Sequence, residues 1–270
     1  MTPIVDCHTH TFYSDGQDSP EANVAAAEAA GCKVLVATDH LTLPAEMDPK
    51  QEVGVHEEDL SRRAADFAAA AERHPSVEVV YGFECDWYEG CEANTERWSS
   101  GAVVRLGSIH WVDGRWIDDV NDLSIWEDLG ADEVWRRYVD AWCLACASPL
   151  NFDTMAHPDL AARFRNEGYP ATMNLTPLYK RMAECAHDTH RRIEVSTAGL
   201  RKTVGGYYPA PELLRAFKRA EVPITVGSDA HTSADIAWGI RDAYAYAAAA
   251  GYREIEVPHA DGSWETMPLE

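Results

Sequence analysis

In the segment Ile4-Val-Asp-Cys-His-Thr-His10, a short apolar run leads directly into two histidines that are two positions apart. Similar runs of apolar and β-branched residues recur along the chain, and nearly every one is followed by a histidine or a carboxylate. Runs of this length and composition are typical of buried strands. The predicted strands are Ile4–Cys7, Val34–Thr38, Val77–Phe83, Val103–Ile109, Asp153–Ala156, Ile193–Ser196 and Pro223–Gly227.

Alanine-rich stretches of helical periodicity separate these strands, and their alternation predicts a parallel sheet. About seven such units without a linker or an internal repeat favour a closed α/β barrel, so we predict a single domain over residues 1–270. Residues 252–270 are predicted to form a hairpin about Asp261-Gly262 or a tail. Residues 86–100 and 111–129, rich in Trp, Tyr, Asp and Glu, are predicted as long excursions after strands. The predicted helices are Glu21–Ala30, Glu57–His74, Ala131–Ala147, Pro211–Ala220 and Ala234–Ala250.

The 270-residue chain carries 45 Asp and Glu against 23 Lys and Arg, a formal net charge of −22. Nucleic-acid-binding proteins rely on clustered basic side chains, so this balance argues against a nucleic-acid partner and favours cations, basic substrates or metals. The N-terminal residues have no signal-peptide pattern, and no apolar stretch approaches the roughly 18 residues of a membrane span. Seven scattered cysteines form no disulfide framework, and Cys143 and Cys146 are expected to pack as small apolar residues despite their C-x-x-C spacing. We predict a cytoplasmic protein with no membrane partner.

The positions of the histidines and carboxylates predict a metal site. In a parallel α/β barrel, the carboxyl ends of all strands open on one face, where active sites form. His8 and His10 project to the same side of their strand and can share a metal, and Asp229 and His231 repeat that spacing. Imidazole and carboxylate ligands suit Zn, Mn and Fe. The sequence therefore predicts a metal centre at this face of the barrel.

Six motifs, in this order, resemble those of the PHP (polymerase and histidinol phosphatase) family over nearly the whole chain. They are Asp6-Cys-His8-Thr-His10, Thr38-Asp39-His40, Gly82-Phe83-Glu84, Ser108-Ile109-His110, His157-Pro158 and Gly227-Ser228-Asp229-Ala230-His231. The resemblance implies a distorted (β/α)7 TIM-like barrel with a trinuclear centre of divalent metal ions at the carboxyl ends of the strands. The ligands that it implies are His8, His10, Glu84 and Asp229 for the first metal, Glu84, His110 and His157 for the second, and Asp15, His40 and His231 for the third.

One further segment, Ser196-Thr-Ala-Gly199-Leu200-Arg201-Lys202-Thr203, resembles the histidinol-phosphate phosphatase branch of that family. In that branch an arginine binds the substrate phosphate, which implies this role for Arg201. Arg163 would supply a second phosphate contact or be a solvated helix residue, and Arg165 and Lys202 compete for both roles. The branch implies hydrolysis of histidinol phosphate to histidinol and phosphate, a step of histidine biosynthesis.

A phosphate monoester dianion reacts slowly with water, so the enzyme must compensate charge and activate a nucleophile. Two adjacent metals would lower the pKa of a bound water toward about 7 to give hydroxide, and Arg201 would offer its planar fork to the phosphoryl oxygens. Asp159, beside His157, is a candidate general acid, or else a cap. The ammonium and imidazole of the substrate would meet acidic and aromatic side chains of the two excursions. These side chains are Asp86, Asp113, Asp118, Trp87, Trp111 and Trp116.

Two other functions remain open at this point. A PHP-type phosphodiesterase, exonuclease or nucleotide phosphatase would use the same metals, but the net charge of −22 gives nucleic acid little electrostatic help. A non-catalytic, metal-stabilised accessory domain should have lost ligands, whereas every expected ligand is present. A small phosphorylated molecule is therefore the predicted partner, and the sequence leaves the oligomeric state open.

Overall fold

The computed structural model describes residues 2–269, in which seven parallel strands follow one another in chain order and form a nearly closed barrel. The main-chain N–H of Cys7 donates to the carbonyl oxygen of Val226 at 3.0 Å, and Thr9 forms a parallel bridge with Ala230, so the first and last strands meet. The predicted seven-stranded α/β barrel is therefore confirmed. Its strands are β1 (Ile4–Asp6), β2 (Cys32–Ala37), β3 (Glu78–Asp86), β4 (Val104–Ser108), β7 (Thr154–Met155), β8 (Arg192–Ser196) and β9 (Ile224–Gly227).

The helices lie between successive strands, as the alternation predicted. Predicted helix 234–250 is wrong in its first part: Ala237 and Gly239 have positive φ angles of 59° and 70°, so the helix begins only at Ile240. The helices are α1 (Pro20–Ala29), α2 (Leu60–Arg73), α3 (Glu92–Trp98), α4 (Ser124–Leu129), α5 (Ala131–Cys146), α6 (Thr176–Asp188), α7 (Ala198–Arg201), α8 (Pro211–Arg219) and α9 (Ile240–Ala249). Short 3-10 turns cover Glu57–Asp59, Leu160–Ala162 and Ser233–Asp235.

The two predicted excursions contain regular structure. Strand β3 continues to Asp86, so the first excursion begins inside the barrel wall and then forms α3. The second holds α4 and a two-stranded hairpin of β5 (Trp111–Val112) and β6 (Arg115–Trp116). At the C-terminal end, β10 (Glu254–Pro258) and β11 (Trp264–Pro268) pair antiparallel on either side of Asp261-Gly262. Residues 1 and 270, which bound the predicted domain, lie outside the described residues.

The core packs the helices onto the outside of the barrel. Val134, Tyr138 and Trp142 recur along α5 at four-residue intervals and are fully buried, which is the apolar stripe of a helix that faces a sheet. Cys146 extends this stripe, and within residues 2–269 all seven cysteines are free thiols. No helix in that range is both long and apolar enough to cross a membrane.

Candidate metal centre

The nine side chains predicted as metal ligands lie together at the carboxyl ends of the barrel strands. Glu84 occupies the middle of the group: its Oε2 is 3.0 Å from Nε2 of His8, and its Oε1 is 2.9 Å from Nε2 of His157 and 3.6 Å from Nε2 of His110. Away from Glu84, at the exposed edge of the group, His231 Nε2 lies 3.1 Å from Asp15 Oδ2. A single mouth therefore collects the whole predicted set, which is His8, His10, Asp15, His40, Glu84, His110, His157, Asp229 and His231.

Donor atoms of these nine side chains and of Asp86 approach one another closely enough to share cations. Four groups of three or four residues each place their donor atoms within 4.8 Å of one another. The groups are His10, Asp15, His40 and His231; His8, His10 and Asp229; His8, Glu84 and His157; and His40, Asp86 and His110. The first three groups overlap the ligand sets that the family resemblance implies, with His10 and His8 shared between neighbouring groups.

Unpartnered ring nitrogens test whether these residues fit metal ions. Both ring nitrogens of His10 are buried and make no hydrogen bond within residues 2–269, although Nε2 lies 3.3 Å from Oδ1 of Asp229 and Nδ1 lies 3.6 Å from Oδ1 of Asp15. Nδ1 of His157 is likewise buried without a hydrogen-bond partner in that range. A buried polar atom without a partner costs about 1–3 kcal/mol, and a neutral imidazole always carries one nitrogen that must accept. A divalent cation satisfies such a nitrogen. The donor set therefore fits divalent metals that bind imidazole and carboxylate.

Asp86 lies behind the mouth, so its predicted place in a substrate-binding wall is wrong. Its two carboxylate oxygens are 2.9 Å from Nδ1 of His40 and 2.5 Å from Nδ1 of His110, and its side chain is fully buried. Strand β3 extends to Asp86, so Glu84 and Asp86 point to the same side of the strand. Asp86 thus orients two histidines so that their Nε2 atoms face the mouth.

The charges of this pair of histidines and their carboxylate depend on one another. Burial raises the pKa of Asp86, but His40 and His110 outweigh it and hold the pKa at about 2. Burial lowers the pKa of His110, but Asp86, Asp118 and Glu84 together raise it to about 9. A cation at Glu84 would compete with the protons on these rings, because metal ligation requires neutral imidazole.

Glu194, in the middle of β8, contacts two of the predicted ligands, and the sequence analysis missed it. Its Oε1 lies 3.0 Å from Nδ1 of His8, and its Oε2 accepts a hydrogen bond from the main-chain N–H of His157 at 2.8 Å. The carboxylate packs against Gly227, where a Cβ atom would stand 2.3 Å from Oε1. The sequence did contain a signal for this residue, because an acidic side chain inside the apolar run 193–195 is expected to be buried and to need a partner.

Two of the predicted ligands occupy strained main-chain conformations shortly after their strands. Asp229 follows β9 with φ 53°, and His157 follows β7 with φ 21°. Left-handed conformations cost non-glycine residues about 1–3 kcal/mol and concentrate at functional sites. Both are held by hydrogen bonds, since the N–H of Asp229 donates to the carbonyl of His8 at 2.8 Å and that of His157 donates to Glu194.

The mouth opens into a cavity of about 330 Å³, and Lys202 is the one Lys or Arg side chain of residues 2–269 that lines it. Lys202 Nζ lies 3.5 Å from Oδ2 of Asp229, and the side chain is about a third exposed. The lining residues are Asp15, His40, Val53, Glu84, His110, Trp116, Asp118, Asp119, His157, Leu160, Lys202, Asp229 and His231.

The structure does not bring the two predicted phosphate-binding arginines into this cavity. Arg201 Nη2 donates to the carbonyl oxygens of Ser228 at 2.7 Å and Asp229 at 3.1 Å, so its guanidinium is used by the loop after β9. Arg163 Nη1 donates to Thr203 Oγ1 at 2.6 Å, and its guanidinium packs on the ring of Phe164. Both arginines therefore hold the main chain and side chains around Lys202.

Asp159, the predicted general acid, also lies outside the cavity lining. Its Oδ2 accepts from the main-chain N–H of Ala210, the residue before α8, at 2.8 Å, and its Oδ1 is buried without a partner within residues 2–269. The side chain does not cap the 3-10 turn that follows it. Burial raises the pKa of Asp159 to about 7. The placement does not support a contact between this carboxyl and a substrate at the mouth.

The hairpin of β5 and β6 separates the predicted aromatic and acidic wall into two parts. Trp116 and Asp118 line the cavity at the mouth, together with Asp119, and the Trp116 ring centroid is 6.0 Å from that of His110. Trp87, Trp111 and Asp113 instead line a separate cavity of about 700 Å³, so their predicted place at the substrate is wrong. Asp113 forms an ion pair there with Arg137.

Comparison with known proteins gives consistent results for family and fold. The PHP domain family profile matches residues 6–198. A curated protein of Deinococcus radiodurans named "Probable histidinol-phosphatase" is 27% identical over 268 residues, which are 96% of this chain and 98% of that protein.

Two solved structures share the barrel. The structure of histidinol phosphate phosphatase from Lactococcus lactis subsp. lactis, complexed with Zn, L-histidinol and phosphate, has a TM-score of 0.78 and 18% identity, covering 97% of this chain and 99% of that one. A Listeria monocytogenes structure, whose histidinol phosphatase name is provisional, has a TM-score of 0.79 and 21% identity, covering 87% and 98%.

Proposed function

We propose, since the chain belongs to the PHP family, that it is a metal-dependent phosphomonoester hydrolase that converts L-histidinol phosphate and water to L-histidinol and phosphate in histidine biosynthesis. One observation carries this proposal. A mouth of six imidazoles and three carboxylates opens directly beside a wall that contains Lys202, Trp116, Asp118 and Asp119. The curated relative of similar length bears the corresponding name.

The first part of the proposal is a centre of three divalent metal ions, Zn, Mn or Fe. When bound, such ions lower the pKa of water and stabilise the charge of a transferring phosphoryl group. Glu84 would serve two of them, because each of its oxygens lies about 3 Å from a different imidazole. The ligands would be His8, His10, Glu84 and Asp229; Glu84, His110 and His157; and Asp15, His40 and His231.

The second part concerns the phosphate. Lys202 is the cation that the cavity offers to a phosphoryl oxygen, and a charge-assisted hydrogen bond suits this role. Arg201 would act by positioning, since it ties α7 to the carbonyls on either side of the Ser228–Asp229 peptide. Arg163 would support the same segment through Thr203.

The third part concerns the alcohol. Histidinol carries an ammonium and an imidazole, and the half-buried carboxylates of Asp118 and Asp119 supply the opposite charge at the edge of the mouth. The indole of Trp116 offers a face on which a cationic or aromatic ring can stack. A nucleic-acid diester would bring its own negative charge to this acidic wall, which disfavours the phosphodiesterase alternative.

A substrate panel tests the proposal. The protein loaded with Mn or Zn should hydrolyse histidinol phosphate with a kcat/KM well above that for AMP or p-nitrophenyl phosphate, and bis-p-nitrophenyl phosphate should be the poorest substrate. Glu84→Gln and His231→Ala should abolish turnover without unfolding the protein, whereas Glu212→Gln, on the exposed side of α8, should not change it. Undiminished activity in a metal-stripped sample would overturn the assignment.

A further inference from the structure

Three cysteines converge on the outer helices, away from the metal mouth. Cys143 and Cys146 are one helical turn apart on α5 and therefore share a face, and α6 brings Cys185 against that face. The Cys185 thiol donates a hydrogen bond to the carbonyl oxygen of Cys143, with its Sγ atom 3.4 Å from that oxygen, and the Cys143 and Cys146 side chains lie near enough to influence its pKa. The fold thus adds a third thiol to a C-x-x-C pair that has no second pair in sequence.

The three thiols differ in access and in acidity. Cys143 and Cys185 are partly exposed, whereas Cys146 is fully buried in the core. Hydrogen bonds from the Cys143 and Cys146 thiols lower the pKa of Cys185, burial opposes this, and Arg181 and Arg191 lower it further. The same contact with Cys185 raises the pKa of Cys143. Of the two partly exposed thiols, Cys185 is therefore the one that ionises more readily to a nucleophilic thiolate, and Cys143 is its accessible neighbour.

We propose that Cys185 and Cys143 form a modification site at which hydrogen peroxide makes a disulfide between α5 and α6. The Cys185 thiolate attacks one peroxide oxygen, an S–O bond forms, the O–O bond breaks, and hydroxide leaves and takes a proton to become water. The Cys143 thiol then attacks the sulfur of this sulfenic acid, an S–S bond forms, and a second water leaves. Two electrons pass from the two sulfurs to the peroxide, which is reduced to two waters.

This reaction is independent of the proposed phosphate hydrolysis, because none of the three cysteines lines the metal mouth. Cys143 is the partner of Cys185 rather than Cys146, because Cys146 is enclosed by the core. A bond between Cys143 and Cys146 themselves would join residues three apart in one helix and would distort that helix. A bond from Cys143 to Cys185 closes a loop between positions 42 apart, and cross-links of long loops stabilise the folded chain.

Trypsin places Cys143 and Cys185 on different peptides, so a disulfide between them can be detected as a linked pair of peptides. Cleavage after Arg137 and Arg163 releases a peptide that contains both Cys143 and Cys146, and cleavage after Arg181 and Arg191 releases one that contains Cys185 alone. The full-length, metal-loaded protein is treated with a small excess of hydrogen peroxide, free thiols are alkylated, and the unreduced digest is analysed by mass spectrometry. The two peptides should be found linked, and dithiothreitol should separate them.

Single variants identify the pair. Cys146→Ser should retain the linked peptide, whereas Cys143→Ser and Cys185→Ser should lose it, and Cys91→Ser serves as a control that retains it. The Tm of the oxidised wild type should exceed that of the reduced protein, and Cys185→Ser should show no such difference. A wild-type digest with no linked peptide, oxidation of Cys185 only to sulfinic acid, or linkage that persists in Cys143→Ser would each overturn the proposal.

Discussion

Glu194 Oε1 and His8 Nδ1 lie 3.0 Å apart inside the barrel, where both side chains are almost completely buried. When Nδ1 donates its proton to this carboxylate, Nε2 of His8 carries a lone pair and faces Oε2 of Glu84 at 3.0 Å. Two acceptors at that distance repel unless a proton or a metal ion lies between them. We therefore infer that Glu194 would orient His8 toward a metal, and through its other oxygen it accepts a hydrogen bond from the main chain of His157.

Replacement of Glu194 by Gln should weaken metal binding. Loss of a carboxylate that orients a histidine ligand typically costs about 10–100-fold in metal affinity. We expect that loss in a competition titration against a chelator, with kcat/KM recovering in part at high metal concentration. Glu256→Gln, which alters an ion pair with Arg192 outside the mouth, is the matched control. Equal metal affinities of the two variants would contradict the role of Glu194.

Gly227→Ala should disturb the same contact from the opposite side. The new Cβ would stand 2.3 Å from Oε1 of Glu194 and 2.6 Å from Cβ of His8, and both atoms belong to buried side chains that cannot retreat. Overpacking of this kind costs about 1–3 kcal/mol. Urea denaturation should show that loss, and metal content after dialysis should fall. Gly206→Ala, where the new atom meets only the flexible end of Arg165, should change neither.

Whether a site residue could be predicted depends on whether its role is visible in the neighbouring sequence or only in contacts between distant parts of the chain. His8, His40 and Asp229 could be predicted as members of the mouth because each directly follows an apolar run, and parallel strands carry such positions to one edge. Glu194 could not, because its role depends on a contact with a residue 186 positions away. Arg201 was placed at the phosphate by resemblance, but the carbonyls of another loop take up its guanidinium.

The helices, too, differ in how clearly the neighbouring sequence predicts them. Helix α5 was predictable because large apolar side chains mark its buried face. Helix α6 was missed because its buried positions are Met182, Ala183 and Ala186, and small residues give a weak periodic signal.

Lys202→Met should impair catalysis without loss of metal. A hydrogen bond to a charged group contributes about 1.5–3 kcal/mol, so kcat/KM should fall about 10–100-fold. Metal content and Tm should remain those of the wild type. Arg201→Met should behave differently, with a lower Tm and weaker metal binding, because Arg201 donates to the main-chain carbonyl of the predicted ligand Asp229. If both variants lose metal equally, Lys202 acts through the loop and not on the phosphate. Lys180→Met, on the exposed side of α6, is the control.

Asp118→Asn should reduce the preference for a cationic alcohol. The carboxylate lies at the edge of the mouth and is partly solvated, so an ion pair there is worth about 1 kcal/mol or roughly fivefold. The measurement is the ratio of kcat/KM for histidinol phosphate to that for p-nitrophenyl phosphate. Asp113→Asn, in the same segment but on the other cavity, should leave the ratio unchanged. A ratio within twofold of wild type in Asp118→Asn would remove this carboxylate from substrate recognition.

A buried ion pair between Arg63 and Asp39 stabilises the loop after β2, which carries His40. Arg63 Nε donates to Oδ2 of Asp39 at 2.6 Å, and its Nη2 donates to the carbonyl of Gly82 at 3.0 Å. The guanidinium lies over the ring of Phe83 at 4.3 Å. Oδ1 of Asp39 accepts from the main-chain N–H of Thr11, so the pair links α2 to the loops after β1 and β2.

Arg63→Met should destabilise the protein by about 3–5 kcal/mol, because it leaves the Asp39 carboxylate buried without its cation. Burial raises the pKa of Asp39, but Arg63 outweighs it, so the folded pKa lies below the ordinary value. The contribution of the pair is therefore complete above about pH 4 and is lost as the pH falls through the lower folded pKa. Urea denaturation of metal-free protein should show a large difference between wild type and variant at pH 7 and a smaller one in acid. Arg73 lies on the same helix as Arg63 and forms an exposed ion pair with Glu21 of α1. Arg73→Met breaks that pair and should have little effect on stability at either pH. An equally small effect of Arg63→Met would mean that the rings around the guanidinium, and not its charge, hold these loops.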